Sequence, residues 1–127
     1  MVDGIASRSD MSVIVVLTTV DSQALAQQIA VDLVESKRAA CVNIVHGVRS
    51  IYRWEGKVCD DMELLLLIKT RLEHFEAVRA RIRQLHTYQC PEILALPVAE
   101  SDAAFVQWLN QQTGPATDDA SGEPSSP

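Results

Sequence analysis

The chain predicts an α+β fold, a ferredoxin-like split β-α-β sandwich carrying a long projecting β-hairpin. Three observations lead there. Apolar segments alternate in the order strand, helix, strand, strand, helix, strand, with one short helix added, and right-handed crossovers turn that order into a single sheet with both main helices on one face. The stretch from Ala39 to Thr70 reads as two runs of β-formers joined at Glu55-Gly56, where glycine supplies the positive φ of a tight hairpin turn. Each arm of that hairpin has about 15 residues, hence about 50 Å of strand, against a radius of gyration of about 13 Å for a domain of about 100 residues. The tip must overhang its own domain.

Taken in order, Ser12 to Val20 (S-V-I-V-V-L-T-T-V) is β-branched and apolar on both faces, the pattern of a central strand covered twice. Asp21 is placed to cap the first helix, with Leu25, Ile29 and Leu33 as its buried stripe, Gln27, Gln28, Asp32 and Glu35 toward water, and Lys37 and Arg38 at its negative end. After the hairpin, Thr70 and Glu73 have the spacing of a capping box opening a second helix, with Phe75, Val78, Ile82 and Leu85 inward. Arg79, Arg81 and Arg83 on that helix read as a solvated face beside Glu73 and Glu76. Glu92 to Val98 is the last strand, stopped by Pro97, and Ser101 is placed to cap a short third helix with Phe105, Trp108 and Leu109 on its apolar side. The division that follows is a loose extension over residues 1–11, one domain over 12–112, and a disordered tail over 113–127, which is small, polar and Pro-rich.

At 127 residues and 47% hydrophobic content the chain has room for one core and not two. No apolar run approaches the roughly 20 residues of a membrane span, and the first ten residues lack the pattern of a signal peptide. Cys41, Cys59 and Cys90 are an odd set without C-x-x-C spacing, which fits a reducing, cytoplasmic compartment. The formal net charge is -6, but Asp118, Asp119 and Glu123 of the tail hold half of it, so the folded part has neither a basic footprint for nucleic acid nor a strong anionic field. No nucleophile elbow, phosphate-cradling glycine loop or acid-base carboxylate pair is visible, and the expectation is a protein that is not an enzyme.

Tyr52 and Trp54 lie two positions apart and therefore on one face of the overhanging tip, where they have little core beneath them and face an interface or a ligand cleft. Strands apolar on both faces leave a sheet surface that another subunit should cover. Cys41 reads as a small buried hydrophobe; His46 and His74 lack ligand-spaced partners; His86, at the end of the second helix, sits well against the helix dipole.

The segments L-A-Q-Q-I-A, A-A-C-V-N, S-I-Y-R-W-E-G-K, E-L-L-L-L-I-K-T, H-T-Y-Q-C-P-E-I-L-A-L-P-V and F-V-Q-W-L-N, spread in order over Ser12 to Asn110, resemble the CutA family of divalent-ion tolerance proteins. That resemblance implies a homotrimer similar to PII signalling proteins and a role in tolerance to copper and other divalent ions. It implies an inter-subunit cleft formed by Tyr52, Trp54, Lys57, Glu63, Lys69 and Tyr88, with Asn43, Gly56 and Pro91 as structural positions. It implies a site for a divalent cation, copper or similar, in which His86 is the donor retained; Glu92 and Cys90, near it in sequence, are the candidates to complete a weak site. Thr18 and Leu85 stand where some bacterial members have a thiol and a second histidine, so His86 alone is retained, and Thr87 and Gln89 depart from the usual Pro and acidic residue. The alternative is a PII-like protein that binds a small anion or nucleotide through Lys57, Lys69 and Arg53 and signals to a protein partner.

Overall fold

The computed structural model describes residues 12–115, and the expected extension and most of the expected tail lie outside them. Strand β1 (Val13–Val20), helix α1 (Gln23–Glu35), β2 (Cys41–Trp54), β3 (Lys57–Arg71), α2 (Phe75–Leu85), β4 (Leu94–Pro97) and α3 (Ala103–Thr113) follow the predicted order. The four strands form one sheet, β2-β3-β1-β4, with every neighbouring pair antiparallel. At the hairpin turn Glu55 and Gly56 both have positive φ, 50° and 79°, the signature of a type I′ turn whose twist matches that of the flanking strands.

Period-two alternation decides what each face of the sheet does. Val16 of β1 pairs with Ile68 of β3, and Thr18 with Leu66; together with Ile14 and Val20 these side chains meet Leu25, Ile29 and Leu33 of α1 and Val78 and Ile82 of α2 in the main core. A bidentate pair from Arg81 to Asp32, at 2.8 and 2.6 Å, ties α2 to α1, so Asp32 and Arg81 are half-buried partners and not the solvated residues expected; Arg79 does pair with Glu76 on the outer surface. The opposite face carries Leu17 paired with both Leu67 and Leu94, and Val15 paired with Leu96. Helix α3 covers only one end of it, through Val106 and Leu109 against Val13 and Ala40, and Leu94 and Leu96 stand 52% and 48% exposed.

The helix caps shift from their expected places. Ser22, not Asp21, is extended before α1 and accepts from the Leu25 N–H at 3.1 Å. Asp102, not Ser101, caps α3, taking the N–H groups of Ala104 and Phe105. Thr70 caps nothing: it is still in β3, its hydroxyl donates to the Arg38 carbonyl at 2.7 Å, and a 3-10 turn over Leu72–His74 precedes α2 without a side-chain cap. Arg38 is buried instead of lying along the end of α1. The last strand is shorter than Glu92–Val98.

Helix α3 runs through Thr113, past the expected boundary at residue 112. Thr113 is buried and bonds to the Leu109 carbonyl, and the next carbonyl, of Gly114, receives Arg71 at 2.7 Å and the Nε2 of His74 at 3.2 Å. His74, expected to be a bystander, is 2% exposed and holds the end of α3. Its burial pushes its pKa below the ordinary imidazole value, an effect that outweighs the Gly114 bond. The unfolded chain therefore takes up the proton first, and stability falls as pH drops below about 6.5. Thermal melts between pH 8 and pH 5 should show this loss, and His74→Gln, which keeps a donor for Gly114, should flatten the profile. An unchanged slope in the variant assigns the acid sensitivity to other groups.

Candidate functional site

An extra residue in β2 positions the site. Val45 pairs with Leu65, but Val48 pairs with Glu63, so His46 and Gly47 together oppose Leu64 alone in a β-bulge. Gly47 takes φ of 75° there. Beyond the bulge the even-numbered residues of β2 share a face with the odd-numbered residues of β3: Ser50 opposes Asp61, Tyr52 opposes Cys59 and Trp54 opposes Lys57. Tyr52 and Trp54 thus stand on the side of the sheet away from α1 and α2, 42% and 44% exposed.

The connection from α2 to β4 closes on that side. Its Tyr88 hydroxyl donates to Glu63 at 2.6 Å, and the Tyr52 hydroxyl donates to Asp61 at 2.5 Å. Between hairpin and connection lies a cleft of about 590 Å³. Tyr52, Trp54, Glu63, Tyr88, Cys90 and Glu92 form its walls, with Thr19, Ser50 and Gln89 adding polar edges. Glu63 is only 8% exposed. The bond to Asp61 raises the Tyr52 pKa to about 12, and burial followed by the bond to Glu63 raises that of Tyr88 further, so both phenols stay protonated and act as donors.

The residues expected to hold a metal part company. A carbonyl oxygen can only accept, so His86 uses a protonated Nε2 to donate to Thr19 at 2.7 Å, and its Nδ1 accepts the Tyr88 N–H at 3.1 Å. Both ring nitrogens are committed, and the ring packs against Tyr88 with centroids 4.5 Å apart. His86 braces the cleft wall from behind, and among the described residues no three His, Cys, Asp or Glu side chains gather as a ligand group. Cys90 and Glu92 do face the cleft.

Of the other expected positions, Lys57 stands at the hairpin turn and Lys69 lies beside the half-buried Cys41, with Nζ 3.9 Å from Sγ; neither lines the cleft. Cys41 is on the uncovered face and not in the core. Asn43 is exposed opposite Leu67, Gly56 makes the turn, and Pro91 is half-buried in the connection. Thr19, Ser50 and Ile51, which line the cleft, and Asp61, which holds the Tyr52 hydroxyl, are site residues that the sequence did not single out. For Ser50 and Asp61 the signal was Gly47, since a lone glycine inside a strand marks a bulge and so resets which residues share a face.

The chain is thus a ferredoxin-like α+β protein with an acidic, aromatic-walled cleft between its long hairpin and the connection from α2 to β4. A family model described as "CutA1 divalent ion tolerance protein" matches residues 14–112. The divalent-cation tolerance protein CutA of Thermus thermophilus is 52% identical over 100 residues, covering 79% of this chain and 97% of that one; that of Pectobacterium atrosepticum is 41% identical over 97 residues, covering 76% and 88%. Among solved structures, the Thermus thermophilus protein superposes with a TM-score of 0.78 over 80% of this chain and 99% of its own at 51% identity, and CutA from Synechococcus elongatus with 0.80 over 87% and 96% at 32%. The chain belongs to the CutA1 divalent ion tolerance family.

Proposed function

We propose that this chain is a cytoplasmic homotrimer that contributes to tolerance of divalent ions by binding copper or a similar ion weakly in the cleft, as a binding protein and not as a catalyst. The observation that carries the reading is the charge of the cleft: Glu63 and Glu92 line it together with the Cys90 thiol, and no Lys, Arg or His does. With His86 committed to Thr19 and Tyr88, the available donors are a thiol and two carboxylates, few enough for modest affinity. The same lining argues against an anion or nucleotide, because Lys57 and Lys69 stand outside it.

Assembly is supported by the half-exposed and exposed leucines of β1, β3 and β4 and by a hairpin that continues past Leu64, where the pairing of β3 with β1 ends; the number three comes from the sequence resemblance. Three free thiols fit a reducing compartment, and no helix among the described residues is long and apolar enough to cross a membrane. Calorimetric titration of the full chain with copper, paired with native mass spectrometry, tests the proposal. Saturable binding that Cys90→Ser weakens tenfold or more is the expected result. Absence of binding, or binding untouched by Cys90→Ser and Glu92→Gln, overturns the metal site.

A further inference from the structure

We propose that the cleft recognises a small organic cation, an amine bearing an ammonium group, in addition to any bare ion. This deepens the reading of the cleft as a cation site and rests on it. Size is the first argument. A coordinated divalent ion needs donors within about 2.0–2.6 Å on all sides, whereas about 590 Å³ lies inside the range of roughly 300–1,000 Å³ typical of small-molecule sites.

The walls are the second argument. Tyr52, Trp54 and Tyr88 bring three aromatic rings to one cleft, and aromatic faces attract ammonium groups through their quadrupole while offering little to a metal ion. Both phenol protons are already taken by carboxylates, that of Tyr52 by Asp61 and that of Tyr88 by Glu63. Donation to a carboxylate leaves the ring richer in electrons and the hydroxyl fixed, so what remains for a ligand is the ring face.

The third argument is Glu63. The residue is only 8% exposed, its Oε2 accepts a hydrogen bond from Tyr88, and it has no Lys, Arg or His ion pair among the described residues. A buried carboxylate with a single neutral donor is under-compensated. An ammonium group entering between the rings supplies the missing charge through a charge-assisted hydrogen bond, and Glu92 at the rim adds a second attraction.

The test titrates the full chain with 1-aminobutane and with 1,4-diaminobutane, using 1,4-butanediol as the uncharged control, and reads calorimetry and tryptophan fluorescence. Saturable amine binding, absent for the diol, is expected; Glu63→Gln should weaken it at least tenfold and Trp54→Ala by about tenfold. Should Glu63→Gln fail to fold by circular dichroism, Tyr88→Phe, which frees the carboxylate of its donor but keeps the ring, must still change amine affinity. Copper binding without amine binding overturns this inference and leaves the metal reading standing. Failure of both ligands overturns both. No amine binding in the wild type, with dissociation of the assembly in Glu63→Gln, overturns it too, by assigning the cleft to a cationic side chain of a second copy.

Discussion

A glutamate at Leu67 converts the proposed trimer into folded monomers. Leu67 sits between Leu17 on β1 and Asn43 on β2, at the middle of the sheet face that α1 and α2 do not cover. In a single subunit it is half-exposed, so a carboxylate there reaches water and disturbs little. Under a second subunit the same carboxylate is buried without a partner, at a cost on the order of 3–5 kcal/mol per subunit, and a symmetric assembly meets that cost three times over. Sedimentation velocity at micromolar concentration, with circular dichroism to verify the fold, reads the outcome. A variant that sediments as the wild type places the interface elsewhere, and a wild type that sediments as a monomer removes the trimer itself.

Leu66→Ala, one residue away, acts by a different route. Leu66 is fully buried beneath the helices, between Thr18 and Ile44 in the ladder. Truncating it removes apolar contact and leaves a cavity that Leu33, Val78 and Ile82 are too tightly held to fill, for a loss of about 2–5 kcal/mol. Guanidinium denaturation at one fixed protein concentration should show a lower midpoint with an unchanged slope. A loss below about 1 kcal/mol would mean that the two layers relax together, contrary to the packing described. The pair of adjacent substitutions thus separates assembly from folding along one strand.

Much of this architecture was legible in the sequence because it follows from periodicity. The doubly apolar β1 and β3, the stripe of α1, and Glu55-Gly56 at the turn each have a local physical cause, and the structure follows them. What escaped depends on choices between neighbours or on distant partners. Asp21 and Ser22 are both competent caps, as are Ser101 and Asp102, and only the backbone angle decides which one is used. Thr70 looked like a cap because its partner, the Arg38 carbonyl, is 32 residues away in the chain. His74 reads as a bystander and His86 as a metal ligand because their partners are far away in the chain: one clamps Gly114 and the other Thr19. His86, Cys90 and Glu92 are close along the chain, but both ring nitrogens of His86 are taken by Thr19 and Tyr88, so closeness did not make a ligand set.

The bulge at His46 and Gly47 gives the length of β2 a meaning that its residue types lack. A ladder has two sides, so the chain from Val45 to Trp54 works as a parity counter: one residue more or fewer turns Tyr52 and Trp54 away and brings Arg53 to their face of the hairpin, and two restore the original side. Divergence in this segment is therefore quantised. Substitutions along it alter the quality of the cleft by degrees, whereas a single insertion or deletion replaces aromatic rings with a guanidinium, and so puts a positive charge where the proposed cation site has aromatic faces.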